Sequence, residues 1–349
     1  MSSATITGGD KCVKSVPVID FCLLNDRDDH NSTEKAYIKL RKACEEWGCF
    51  HVVNHGIKED IIHDMDSAVR DVLFSKESVQ KNILPKKELS YITSMPAMPY
   101  YKGLGILGAD DPGEVQKFSD LLWPEGNPQM CKVIQSYTSG VTELTKNIIK
   151  AIMRSLGVSS YNYRTSGFRG ILRINYYDIP ANEIGGMITH VDYNCITVMY
   201  EDDMGGLQVK NKEGMWVDVK PVPNSFIVIL GDCFKAWSNG RTRNVTHRVI
   251  REGSDSGKCR MALPYFYGFP LEGVVDAIPE LVDDGHPRLY KPFTAGEYRE
   301  FAMEWKKINI QKKEGFRAET GGEENLDMFA GILVSSINST SAQFVYPKG

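Results

Sequence analysis

Apolar positions change their rhythm once along this chain, near residue 170. Before that point they recur at helical spacing; after it they fall into short runs that alternate or stay apolar throughout. Ala36, Tyr37, Leu40, Ala43, Cys44 and Trp47 make one stripe of a helix expected from about Glu34 to Trp47. Asn31, Ser32 and Thr33 precede it as cap residues, and Gly48 ends it. Short strands are expected on either side, at Pro17–Phe21 and Phe50–Val53. A second helix is expected over Lys58–Phe74, and a long one over Pro128–Leu156 with Val133, Ile134, Tyr137, Val141, Leu144, Ile148 and Ile152 on one side. Tyr91 to Tyr101, with its Pro and Met residues, reads as irregular or extended. Beyond Gly170 strands are expected over Leu172–Tyr177, Ile196–Tyr200, Leu207–Lys210, Phe226–Leu230 and Met261–Phe266, and a last helix over Thr294–Ile308. Helices first and strands afterwards is an α+β order, which a double-sheet jelly-roll barrel accommodates. The expected regions are a helix-rich part over 16–125, the barrel core over 167–270 and a helical segment over 285–332. The tail after Val334 is polar and expected to be loose.

Composition narrows the function classes. A chain of 349 residues with net charge −4 lacks the positive field that nucleic acid or an anionic membrane surface would call for. Its eight cysteines form no CxxC pair and no compact disulfide framework, which points to reduced thiols. The first residues show no secretory pattern, and no apolar run reaches the roughly 18 residues a membrane span needs. The expectation is a cytoplasmic enzyme. Lys306, Lys307, Lys312 and Lys313 read as a solvated helix face rather than a nucleic-acid patch.

Candidate chemistry centres on Thr189-His190-Val191-Asp192 and on Val245-Thr246-His247-Arg248-Val249. Residues two apart on a strand point the same way, so His190 and Asp192 can reach one ion together. With His247, two imidazoles and one carboxylate on one side of an ion leave three positions open, the arrangement of non-haem Fe(II) oxygenases. A His-x-Asp pair by itself is common and is more often a surface or hydrogen-bonded core feature; its surroundings give it weight here. Arg260 stands alone in the apolar run Cys259 to Phe266. A buried guanidinium needs a carboxylate, and its planar fork suits two-point binding. That carboxylate could belong to a ligand or to an Asp or Glu elsewhere in the chain. In Ile171 to Tyr177, Arg173, Asn175 and Tyr177 share one face, which lines either solvent or the inside of a ligand-binding barrel. His51 and His55 sit in a strand-and-turn context and are given structural roles, while His30, His63 and His286 lie in polar surroundings.

Read in order, Asn175-Tyr176-Tyr177, His190-x-Asp192, Gly205-Gly206-Leu207-Gln208-Val209, Gly231-Asp232, Ser238-Asn239-Gly240, His247-Arg248-Val249 and Arg260 resemble the plant-type 2-oxoglutarate- and Fe(II)-dependent dioxygenases. These belong to the isopenicillin N synthase-like oxygenase superfamily. Val16-Pro17-Val18-Ile19-Asp20-Phe21 and Trp47 to Ile57 match the same family's opening pattern, so the resemblance runs from about Val16 to about Phe329. It implies a jelly-roll core, Fe(II) held by His190, Asp192 and His247, and 2-oxoglutarate held by Arg260 with Asn175 and Tyr177 beside it. It further implies O2 as cosubstrate, ascorbate as reductant, succinate and CO2 as products, and a monomer that acts on a small molecule without nucleic-acid or membrane partners. Two positions depart from the family pattern. Ala262 stands where Ser is usual two residues after the arginine, a lost hydroxyl worth on the order of 1 kcal/mol. Asp178-Ile179-Pro180 replaces a Pro-Pro-Cys-like turn.

By analogy with the family, Arg173, Tyr100, Tyr101, Phe118, Tyr193, Trp237, Phe266 and Phe269 line the substrate pocket. Most are aromatic, which favours a flat or hydrophobic small molecule. Within the family, Trp237-Ser238-Asn239-Gly240-Arg241 and Val209-Lys210-Asn211-Lys212 resemble branches that act on plant hormones and specialised metabolites such as alkaloids, so the resemblance implies a substrate of that class. Hydroxylation, demethylation, desaturation and ring formation all remain open outcomes. Two other readings stay open: an Fe(II) oxidase of this fold that does without 2-oxoglutarate, and a non-catalytic small-molecule binder on the same barrel.

Overall fold

The computed structural model describes residues 15–24, 30–70, 97–158, 165–253, 258–312 and 322–331. The expected end of the second helix at Val72 to Phe74, most of the stretch from Tyr91, Lys313 and the tail after Val334 lie outside the described residues.

Two sheets make the core. The larger has seven strands in the order β1-β2-β9-β6-β11-β4-β3. These are β1 (Val18–Asp20), β2 (Cys49–Val53), β3 (Tyr101–Leu107), β4 (Arg169–Tyr177), β6 (Ile196–Glu201), β9 (Phe226–Leu230) and β11 (Arg260–Gly268). The smaller runs β5-β10-β7-β8, from β5 (Ile184–His190), β7 (Leu207–Lys210), β8 (Trp216–Asp218) and β10 (His247–Glu252). β1 and β2 pair in parallel, and the other pairs in the two sheets are antiparallel. Two facing sheets of this kind, with helices packed outside, form an α+β jelly roll.

Strand alternation sorts the side chains between two cores. Leu172, Ile174, Val198, Val228, Leu230, Met261 and Leu263 face outward into the helix-side core. Tyr177, Met199, Ile227, Ile229 and Ala262 face inward, where they meet Ile188, Leu207, Val209 and Val249 of the smaller sheet. Arg173 and Asn175 share the inward face with Tyr177, so the polar face expected from the sequence lines the barrel interior. The helix-side core is closed by the long helix Pro128–Ser155, which buries Ile134, Tyr137, Val141, Leu144, Ile148 and Ile152. Asn127 caps that helix by accepting from the Met130 amide at 3.1 Å, and Pro128 occupies its first turn.

Several elements differ from the sequence expectation. The first helix begins at His30, so Asn31, Ser32 and Thr33 lie in its first turn, and a π-helical turn at Ala43–Trp47 completes it before Gly48 turns left-handed at φ 65°. The helix Pro112–Leu122 and strand β3 were not expected. β3 carries Gly103 and Gly105, which weaken a strand pattern. Gly103 is there because a Cβ would collide with the Tyr101 hydroxyl and approach Arg173 Nη2 to 2.7 Å.

Candidate active site

His190 is the last residue of β5 and His247 the first of β10, and the two are direct cross-strand partners. Their rings therefore leave the same face, with centroids 4.2 Å apart. Asp192 is not on the strand. It sits just past the end of β5, in a segment tied down by the Asp232 amide donating to its carbonyl at 2.9 Å. The carboxylate nonetheless meets both rings: Asp192 Oδ1 lies 3.6 Å from His190 Nε2 and 3.8 Å from His247 Nε2. One ligand atom from each of the three falls within 4.8 Å of the others.

The hydrogen bonds leave the inward atoms available. His190 Nδ1 bonds the Ile188 carbonyl at 2.8 Å and His247 Nδ1 the Val245 carbonyl at 3.1 Å. Each Nδ1 can only donate there, which turns Nε2 toward the partner ligands. Burial, together with the nearby His247 and Lys306, holds the His190 imidazole well below its ordinary pKa and so in the neutral form that ligates metal. Thr197 Oγ1 donates to Asp192 Oδ2 at 2.6 Å, leaving Oδ1 for an ion. Thr197 carries no sequence signal for this role. It reaches the carboxylate because β6 starts at Ile196, just after the Asp192 segment.

Across the interior lies Arg260, 1 % exposed. Its Nη2 donates to Glu201 Oε2 at 2.6 Å, its Nε donates to the Gly205 carbonyl at 2.7 Å, and its guanidinium faces the Tyr177 ring at 5.1 Å. Nη1 is buried without a partner. Of the two carboxylate sources considered for this arginine, the chain itself supplies one, Glu201. Asn175 stands opposite Ala262 and Tyr177 opposite Arg260 on β4, so these residues share one patch of the inner face. Tyr101 closes it, its hydroxyl donating to Asn175 Oδ1 at 2.8 Å, with Arg173 Nη2 donating to that hydroxyl at 3.3 Å.

The eight expected pocket residues separate. Arg173 and Tyr101 face the interior, Tyr100 packs against the same cluster, and Phe266 stands opposite Thr197 beside the triad. Phe118 and Trp237 require correction: at 4 % and 5 % exposure they are part of the helix-side core. Trp237 meets Phe168 and Phe269 with ring centroids 5.5 and 5.6 Å away, and Phe269 and Tyr193 pack against that same core. Large aromatics at these positions fill volume between helices and sheet, which a residue-type argument does not distinguish from a pocket wall. Lys306 also differs from a solvated face. It is half-buried and close enough to Asp192, His190 and Arg173 for their charges to act on one another. His51 and His55 are buried, and His30, His63 and His286 are exposed.

Comparison with known proteins decides the family. Residues 168–269 match the 2OG-Fe(II) oxygenase superfamily, and residues 16–95 the N-terminal region of non-haem dioxygenases in morphine synthesis. A gibberellin 20-oxidase-like protein of Arabidopsis thaliana is 31 % identical over 80 % of this chain and 91 % of its own length. The chain belongs to the 2-oxoglutarate- and Fe(II)-dependent dioxygenases. Among solved structures, the rice dioxygenase for auxin oxidation superposes with a TM-score of 0.75 at 28 % identity, covering 90 % of this chain and all of that one. The Arabidopsis thaliana dioxygenase for auxin oxidation in complex with 2-oxoglutarate gives 0.67 at 27 %, covering 78 % of this chain and 100 % of that one.

The residues present fit the dioxygenase cofactors. Two imidazole nitrogens and one carboxylate oxygen on one side suit Fe(II). The orphaned Arg260 Nη1, buried beside Tyr177 and Asn175, suits a carboxylate, and Glu201 is the one feature that opposes it. No helix among the described residues is long and apolar enough to cross a membrane.

Proposed function

We propose that His190, Asp192 and His247 hold Fe(II), that Arg260, with Asn175 and Tyr177, binds 2-oxoglutarate, and that Arg173, Tyr100, Tyr101 and Phe266 contact a small plant hormone or specialised metabolite. The observation that carries this reading is the convergence of His190 Nε2, His247 Nε2 and Asp192 Oδ1, with both Nδ1 atoms bound to carbonyls. Bound iron supplies the activation of O2 that couples decarboxylation of 2-oxoglutarate to oxidation of a substrate C–H bond. The chain's own part is positional. The carbonyls of Ile188 and Val245 orient the imidazoles, and Thr197 fixes which Asp192 oxygen points inward. The inward apolar residues Ile188, Met199, Val209 and Val249 keep water away from the reacting centre.

Charge at the open side supports a finer statement about substrate. Lys306 lies within electrostatic reach of both Asp192 and Arg173, and burial lowers its ammonium from the ordinary range against the pull of that carboxylate. Two cations beside an aromatic lining favour a hydrophobic molecule with an acidic group over a protonated amine. Ascorbate as reductant and a monomeric, cytoplasmic protein complete the proposal; free thiols at the seven described cysteines support a reducing compartment.

The test is oxygen uptake and succinate release by the iron-loaded protein against a panel of plant carboxylic acids and neutral metabolites, with and without 2-oxoglutarate. Product formation with stoichiometric succinate supports the proposal. The Arg260–Glu201 pair is the one observation favouring an Fe(II) oxidase that does without 2-oxoglutarate, and product formed without succinate would establish that reading instead.

A further inference from the structure

Arg260 and Glu201 form the most deeply buried ion pair among the described residues, with side chains 1 % and 4 % exposed. Each is only half used. Arg260 Nη1 and Glu201 Oε1 are both buried without a partner, although an unsatisfied buried polar atom is costly. A pair serving the fold alone would be expected to close both edges.

The strand register explains how Glu201 gets there. Glu201 is the last residue of β6 and lies directly opposite Ala262 on β11, on the inward face shared with Arg260. Ala262 presents a methyl group, so the longer glutamate can lean across it to the guanidinium two residues away. The chain thus places its own carboxylate on the arginine that the proposed function assigns to the distal carboxylate of 2-oxoglutarate, and the inference rests on that assignment.

We propose that Glu201 competes with the distal carboxylate of 2-oxoglutarate for Arg260 and is protonated while the cosubstrate is bound, so that binding takes up one proton. Among the described residues, few groups face Glu201. Arg260 approaches from β11, Tyr177 from β4 and Cys49 from β2, and Asp202 follows it in sequence. Burial pushes the Tyr177 and Cys49 protons up, so both face Glu201 neutral. Asp202 is occupied by Arg70 at 2.7 Å and by the Met261 amide at 2.6 Å. Arg260 is therefore the one cation among these groups, and a bound dicarboxylate adds a second negative charge beside Glu201. Burial, and secondarily Asp202, already raise the Glu201 carboxyl above its ordinary range against the pull of Arg260. A like charge in the same low-dielectric space raises it further. Once protonated, Glu201 changes from acceptor to donor. Its O–H then stands opposite Ala262, where the usual serine hydroxyl is missing, and can bond the ligand carboxylate in its place. No redox change is involved; one carboxylate becomes one carboxylic acid.

The sign follows from linkage. A group that binds its proton more tightly in the complex makes binding weaken as pH rises through its pKa in the free protein, by at most about tenfold per pH unit. The experiment is calorimetric titration of 2-oxoglutarate into the Fe(II)-loaded protein without O2, in buffers of different ionisation enthalpy, between about pH 6 and 9. Pyruvate serves as comparison, because it shares the 2-oxo acid end that meets the metal and lacks the distal carboxylate. The expected result is up to about one more proton taken up with 2-oxoglutarate than with pyruvate, and a Kd for 2-oxoglutarate that rises with pH. Glu201→Gln should abolish the difference, flatten the pH dependence and tighten 2-oxoglutarate binding on the order of tenfold near pH 8. Equal proton uptake for the two acids, with firm 2-oxoglutarate binding across the range, overturns the role of Glu201 and leaves Arg260 as the anchor. If the metal-loaded protein binds pyruvate but never 2-oxoglutarate, the assignment of Arg260 falls and the inference with it. Should the variant fail to fold, the proton count of the unaltered protein decides alone.

Discussion

At the His190 end of the barrel interior each polar side chain is committed on its outer side and free on its inner side. His190 Nδ1, His247 Nδ1 and Asp192 Oδ2 are each bonded to the protein, and the remaining atoms turn toward one point. At the Arg260 end the chain turns inward on itself: Arg260 is bonded to Glu201 and Gly205, with one nitrogen and one carboxylate oxygen left over. The first end is preorganised to receive a cation, since each ligand's outer atom is already bonded to the protein and its inner atom faces the same point. The second end has a carboxylate on the arginine before any ligand arrives. Preorganisation lowers the cost of binding, whereas an internal competitor raises it and ties it to pH.

The largest effect should come from breaking the first end. Asp192→Ala or His247→Ala should abolish both iron retention and turnover. Fe(II) at about a hundredfold over its Kd should stabilise the unaltered protein by roughly 2.7 kcal/mol in thermal melts, and neither variant should gain that increment. Normal activity in Asp192→Ala would remove the metal assignment.

Next comes the second end. Arg260→Ala removes the cosubstrate's cation and leaves Glu201 buried and unpaired, at a cost of roughly 2–5 kcal/mol in 2-oxoglutarate binding. Iron content should stay near normal while the KM for 2-oxoglutarate rises, with Arg260→Lys intermediate because it keeps charge and loses the fork. Weakened binding of the main substrate with unchanged cosubstrate dependence would make Arg260 a substrate anchor instead.

Thr197→Val sharpens the account of the first end. It removes the 2.6 Å hydrogen bond to Asp192 with little change in volume, and iron affinity should fall about 10–100-fold. An unchanged iron Kd would mean that Asp192 is oriented by its backbone alone. Lys306→Ala should raise the KM for acidic substrates several-fold, by an amount that shrinks in high salt, and leave neutral ones unaffected. The smallest effect expected is from Ala262→Ser, which supplies a hydroxyl beside Arg260 and should lower the KM for 2-oxoglutarate by a few-fold, equivalent to about 1 kcal/mol at most.

Much of the triad could be read in the sequence because each ligand lies in a short segment whose residue types are unusual together. Strand alternation also placed Arg173, Asn175 and Tyr177 on one face, and that face is the interior. The readings that changed all depended on distance across the fold. Phe118 and Trp237 have the composition of pocket walls, yet the helices that carry them bury both in the helix-side core. Lys306 has the look of a solvated lysine until the fold brings it within electrostatic reach of Asp192 and His190. Strand β3 was missed because its glycines, which make room for the Tyr101 hydroxyl, dilute the strand signal.

The amino-acid sequence by itself determined the fold class, the three metal-ligand candidates and the presence of one lone arginine in an apolar strand, since periodicity and residue chemistry are local properties. Only the tertiary structure decided what that arginine meets. Glu201 and Arg260 are far apart in the chain and adjacent in space through the pairing of β6 with β11, with Ala262 small enough to let them touch. A cross-strand register is a long-range property, and nothing in either segment alone specifies it.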